Sequence, residues 1–161
     1  MMKKLVCILA LTLLSSVAHA EGSVDSKRIY IGGGLGFNSL PGWGSARGFK
    51  FFGGYDFAFK INDDISSALE IGYMDTGDFD QYKGFNSNED VKGLYAAMVE
   101  SVPLSRKTDM LVRLGYDFGD DDGVLLGTGM QYKFDTKVAF RMEYVARQNV
   151  NSLQANILFH F

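Results

Sequence analysis

Asn151-Ser-Leu-Gln-Ala-Asn-Ile-Leu-Phe-His-Phe161 is the stretch that decides the fold. Side chains alternate across a β-strand with period two, so Leu153, Ala155, Ile157, Phe159 and Phe161 share one face. Ser152, Gln154, Asn156 and His160 take the other, where only Leu158 is apolar. A soluble barrel keeps its apolar face inside. A wholly apolar face ending in aromatics, backed by a polar one, suits a strand whose outer side meets hydrocarbon. The sequence stops on Phe161, and nothing is expected to follow this strand.

The same alternation recurs upstream near residues 28–37, 48–59, 65–75, 91–101, 108–118, 124–134 and 138–147, with 152–161 as the last strand. The outward sets begin with Ile29, Ile31, Leu35 and Phe37, then Phe49, Phe51, Tyr55 and Phe57, then Ile65, Leu69, Ile71 and Tyr73. After the fourth strand come Met110, Val112, Leu114, Tyr116 and Phe118, then Leu126, Met130, Tyr132 and Phe134, then Val138, Phe140, Met142 and Tyr144. The fourth strand would turn Val91, Tyr95, Ala97 and Val99 outward, with Leu94 and Met98 competing for that face. An even set of eight such strands predicts an all-β, eight-stranded antiparallel up-and-down transmembrane β-barrel. Closure is required, because orphan backbone groups in hydrocarbon are costly. Aromatics at the strand ends would form interfacial belts.

Residues 1–20 carry Lys3-Lys4, an apolar run from Leu5 to Leu14, and Ala18-His19-Ala20. That is the pattern of a cleavable signal peptide, and its apolar run is shorter than the roughly 20 residues of a spanning helix. The expected organisation is a leader over 1–20 and one barrel domain over 21–161. Cys7, the single cysteine, falls in the leader, so no disulfide or thiol chemistry is expected. Removing the leader takes two of the 16 basic residues and none of the 19 acidic ones, moving the formal charge from −3 to −5. Such a balance argues against nucleic acid as a partner.

With an even strand count after an export signal, both termini face the periplasm. Short periplasmic turns are expected at about 60–64, 102–107 and 135–137, with Asn-Asp, Pro103 and Asp-Thr turn chemistry. The extracellular connections would be 38–47, 76–90, 119–123 and 148–151, the first two long. Inward positions include Gly32, Gly34, Gly36, Gly54, Gly72, Gly115, Gly127 and Gly129, which leave room for long side chains opposite. Those are Lys50, Asp56, Glu70, Glu100, Arg113, Gln131, Arg141, Glu143 and Arg147. Side chains fill so narrow a barrel, and buried charges need partners. A network of Lys50, Glu70, Arg113, Arg141 and Glu143 is therefore expected. Its role is either a satisfied polar core that holds the barrel rigid or a gate whose ion pairs exchange to open a narrow passage for ions or small solutes.

Tyr30-Ile-Gly-Gly-Gly-Leu-Gly-Phe37, Ala68-Leu-Glu-Ile-Gly-Tyr73, Leu111-Val-Arg-Leu-Gly-Tyr116, Gly127-Thr-Gly-Met-Gln-Tyr-Lys-Phe134, Phe140-Arg-Met-Glu-Tyr144 and Phe159-His-Phe161 resemble the small outer-membrane β-barrel superfamily of OmpA transmembrane domains and OmpX. The resemblance covers essentially all of 21–161. The expected protein is a monomer in the outer membrane among lipid and lipopolysaccharide, with a structural or surface-interaction role. The resemblance implies interior ion pairs from Glu70, Arg113 and Arg141, and an assembly signal, read by the barrel assembly machinery, at Phe159 and Phe161. Two departures stand out: no periplasmic domain is expected after the barrel, and the last two extracellular connections are expected to be very short.

Other motifs weigh less. Gly32-Gly-Gly-Leu-Gly36 lacks the G-x-G-x-x-G spacing and a following helix; barrel glycines explain it. Asp120-Asp-Asp-Gly123 is no EF-hand loop; it reads as a tight acidic turn, or a weak surface site for divalent cations on lipopolysaccharide shared with Asp75, Asp78, Asp80, Glu89 and Asp90. No catalytic residue, metal site or cofactor is expected: outside the leader His160 is the single histidine, too little for a serine triad. Trp43, the single tryptophan, either anchors the first connection at the membrane interface or joins Phe79, Tyr82 and Phe85 in an extracellular contact surface.

Overall fold

The computed structural model describes residues 25–42, 44–62, 65–79 and 90–161, and the backbone alone over 58–62. The leader 1–20 and Trp43, Tyr82 and Phe85 lie outside the described residues. Eight strands follow in chain order among them: β1 Ile29–Leu40, β2 Gly44–Asn62, β3 Ile65–Asp75, β4 Lys92–Pro103, β5 Thr108–Asp117, β6 Gly123–Lys133, β7 Val138–Ala146 and β8 Asn151–His160. Each pairs antiparallel with its sequence neighbours, and β1 pairs with β8 to close the barrel. Tyr30 opposite His160, with the Phe161 amide donating to the Ile29 carbonyl at 3.2 Å, brings the start of β1 and the end of β8 to one rim, called here the terminal end.

The period-two pattern is realised as an inside-out distribution. Leu35 is 69% exposed and Phe51 62%, while Glu70 is fully buried. Aromatic pairs two residues apart stack outside the wall: Tyr132 with Phe134 at 5.4 Å and Tyr55 with Phe57 at 6.1 Å toward the terminal end, Tyr116 with Phe118 at 5.2 Å toward the far end. The one hydroxyl at mid-β6 on the outer face, Thr128, donates to the Leu111 carbonyl at 3.0 Å and so needs no solvent.

Three expectations are corrected. On β4 the faces are reversed: Leu94 and Met98 point outward, and Tyr95, Ala97 and Val99 are buried inside. The reason is the partner strands, since Ala97 lies opposite Glu70, Tyr95 opposite Gly72, and Val99 opposite Arg113. Small or flat residues must face the charged centre there. Val91 precedes β4 and is buried. Glu100, expected inward, consequently shares the outer face with Ser67 and Val112, and the Ser67 hydroxyl donates to it at 2.7 Å. Finally, the first connection spans only 41–43 instead of 38–47. Pro41 and Gly42 make the reversal, with Gly42 at φ 87° and Gly44 at φ 98°, values that a side chain would strain.

Candidate functional site: the charged core and the far-end loops

The register of β2, β3, β5 and β7 brings five ionisable side chains to one level of the lumen. Arg113 on β5 bridges both carboxylates: its Nη2 lies 2.5 Å from Glu70 Oε2 and 2.9 Å from Glu143 Oε1, and its Nε donates to Glu143 Oε1 at 3.1 Å. Lys50 on β2 donates to Glu143 Oε2 at 3.1 Å, and Arg141 on β7 pairs with Glu70 Oε1. Arg141 and Glu143 are two residues apart on β7, so they share its inner face.

Neutral groups fill the remaining valences. The Tyr30 hydroxyl donates to Glu70 at 2.8 Å, Arg141 Nε donates to Gln131 at 3.0 Å, and the Asn156 amide donates to Glu143 at 3.3 Å. Phe52 lies between two cations, with Lys50 Nζ 4.9 Å and the Arg141 guanidinium 5.7 Å from its ring centre. Inward glycines create the space: a Cβ at Gly54 would strike the Tyr30 ring, and one at Gly129 would crowd Glu143 at 2.9 Å. Every charge in the cluster has a partner, the condition under which a buried network is tolerated.

Two voids adjoin this packing among the described residues, and neither is larger than a water molecule. A void of about 10 Å³ lies among Asn38, Lys50, Thr76 and Gln154, and the space bounded by Lys50, Tyr95, Arg113, Arg147 and Gln154 admits no water. A water needs about 10–15 Å³. Toward the far end a second polar ladder crosses the lumen: Arg147 lies 3.5 Å from Asp117 and donates to Ser152 at 3.0 Å, Ser152 donates to Asn38 at 2.6 Å, and Asn38 donates to the Thr76 carbonyl at 2.9 Å. The far-end acids tie loops together. Asp121 accepts from the Asn149 amide side chain at 2.7 Å and the Val150 N–H at 3.1 Å, and Asp120 accepts from the Lys92 N–H at 3.2 Å. Among the described residues no three His, Cys, Asp or Glu side chains gather to hold a metal ion.

Of the loop candidates, Phe79 is described and is fully buried with the core cluster, so it is part of the wall's packing and not an exposed contact. Phe159 and Phe161 stand outward at the terminal end, 50% and 61% exposed. His160 stacks on Tyr30 at 5.1 Å and lies 4.0 Å from Asp56. Tyr30 and Phe52 were not singled out from sequence, and Tyr95 was expected on the outer face. For Tyr30 and Phe52 the signal was their parity, since each alternates with an outward aliphatic or aromatic neighbour.

A closed eight-stranded barrel, apolar outside and charged inside, defines a small transmembrane β-barrel protein. The sequence matches the model of the outer membrane protein beta-barrel domain over residues 7–157, and the chain belongs to that family. No curated protein sequence matches it. Solved structures share its fold at low identity. Ail of Yersinia pestis in a phospholipid bilayer nanodisc superposes with a TM-score of 0.55 at 14% identity, covering 82% of this chain and 99% of that one. Neisserial surface protein A gives 0.51 at 18% identity, covering 83% and 97%. A de novo designed transmembrane β-barrel gives 0.54 at 14% identity, covering 83% and 96%.

Proposed function

We propose that this outer-membrane barrel is a non-catalytic scaffold that presents its far-end connections to the outside, with a lumen sealed by its ion-pair core. What supports this is the packing around Glu70, Arg113 and Glu143, where the two adjoining voids measure about 10 Å³ or less. Both termini face the periplasm. The surrounding partners are membrane lipid and lipopolysaccharide, the barrel is a monomer, and Phe159 and Phe161 serve the assembly machinery. Surface contacts fall to the second connection, where Tyr82 and Phe85 lie, and to Trp43.

The second reading is a narrow gated channel. Arg113 touches both carboxylates, so partner exchange could open a path without stranding a charge. Reconstitution of residues 21–161 in a planar bilayer separates the two. Silence from protein shown to be folded supports the scaffold. Reproducible current steps that change with Glu70→Gln support the channel and sink the sealed-core reading.

A further inference from the structure

Most outward positions at mid-wall carry large apolar side chains, but two adjoining ones, Gly33 and Gly53, carry none. Gly33 stands between Ile157 and Phe51, and Gly53 between Ile31 and Ile71. They leave a groove of about 740 Å³ in the outer face, rimmed by Ile31, Phe51, Ile71, Tyr73, Ile157 and Phe159. That volume lies within the range of about 300–1,000 Å³ found for small-molecule sites.

Packing does not require glycine at 53. An added Cβ at Gly72 would press on the Phe51 carbonyl at 2.6 Å and the Tyr95 hydroxyl at 2.7 Å, whereas one at Gly53 meets nothing closer than the Tyr30 carbonyl at 4.0 Å. Glycine inside a strand weakens it and marks a place where a ligand or another backbone comes close. Here the glycine opens an apolar depression in a wall that faces hydrocarbon.

We propose that the groove seats an acyl chain of a lipid A-type glycolipid in preference to bulk lipid. The depression is concave and apolar, which fits a thin flexible chain; a second barrel would offer a convex wall. The head group has a matching cation. Along β2 the outward residues beyond Gly53 toward the far end are Phe51, Phe49 and Arg47, and Arg47 is exposed, its guanidinium 5.7 Å from the Phe37 ring centre. Six residues of strand span about 20 Å, the reach of one extended fatty chain. A phosphate held by Arg47 and a chain end resting at Gly53 can therefore belong to one molecule. The choice of glycolipid rests on the proposed orientation, in which the far end meets the lipopolysaccharide leaflet.

The test uses one reporter tryptophan in vesicles of dibrominated phosphatidylcholine, whose bromines quench on contact. Trp43→Phe is combined with Ile71→Trp at the groove, or with Leu126→Trp on the exposed outer face of β6. A small fraction of unbrominated lipid A is then added. The expected recovery of fluorescence at position 71 exceeds that at 126 by about fivefold. Gly53→Leu, which fills the notch, removes the excess, and Arg47→Gln lowers it. Equal recovery at both positions, or an excess that survives Gly53→Leu in a folded barrel, overturns the proposal. Unbrominated phosphatidylethanolamine protecting position 71 as well as lipid A overturns the choice of lipid. Recovery that instead follows protein density shows a second copy over the groove and overturns the lipid itself. The vesicles carry no current measurement, so this outcome is independent of whether the lumen conducts.

Discussion

Glu70 receives three donors in the lumen: the Tyr30 hydroxyl, Arg113 and Arg141. Glu70→Gln keeps the shape and removes the charge, leaving two guanidinium groups to share one remaining carboxylate with Lys50. Stranding buried charge costs about 3–5 kcal/mol. Equilibrium unfolding in urea from lipid vesicles is expected to show a loss of that order, far larger than for Glu100→Gln, whose carboxylate sits on the outer face with Ser67. Equal losses at the two positions would contradict the central place given to Glu70. The charged members of this cluster were legible in the sequence because each lies at inward parity on a clearly alternating strand. The part played by their aromatic companions was not: Tyr30 and Phe52 have inward parity, but nothing local to their strands shows the Arg141 guanidinium lying 5.9 and 5.7 Å from their ring centres.

The turn between β6 and β7 shows how an element is terminated. Asp135 accepts the N–H groups of Lys137 at 2.7 Å and Val138 at 2.8 Å. Those two bonds hold its carboxyl below the ordinary value of 3.8. A depressed value in the folded state contributes stability above the unfolded value and loses it as the pH falls through the folded one. Asp135→Ala is therefore expected to lower the unfolding midpoint by a constant amount between about pH 5 and 8, with the gap closing in acid as the pH falls below the ordinary value of 3.8 and through the folded one. Midpoints of both proteins across that range check it, and a gap that persists in acid would assign the loss to something other than the carboxylate. The strand limits were mostly readable from such turn residues. The exception, Pro41-Gly42, failed because Asn38, Ser39, Ser45 and Arg47 look like loop residues, although the register carries β1 and β2 through them to Leu40 opposite Gly44.

At the scale of the molecule, closure by the β1–β8 ladder makes the barrel independent of its longest connection. Replacing residues 80–89 by a short Gly-Ser linker is expected to leave the folded barrel intact, seen as unchanged heat-modifiable gel migration, while abolishing attachment of cells displaying the protein to a receptive surface. Attachment that survives the deletion would shift the contact to the other three connections. The far-end acids would then be poor candidates, because Asp120 and Asp121 already hold Lys92, Asn149 and Val150.

By itself the sequence determined the number of strands, the outward faces of seven of them and the identity of the five charges at the centre of the lumen. Period-two alternation is local, and a hydrocarbon-facing wall keeps apolar side chains at most of its outer positions, so those features can be read without knowing what lies across the barrel. Only the tertiary structure decided the parity of β4, where Leu94 and Tyr95 are both apolar enough to face lipid and the choice falls to Gly72, Glu70 and Arg113 on the adjoining strands. It likewise decided which cation meets which carboxylate and where the outward glycines align into a groove. Each of those depends on the stagger between strands, which pairing around a closed circle sets and no single segment encodes.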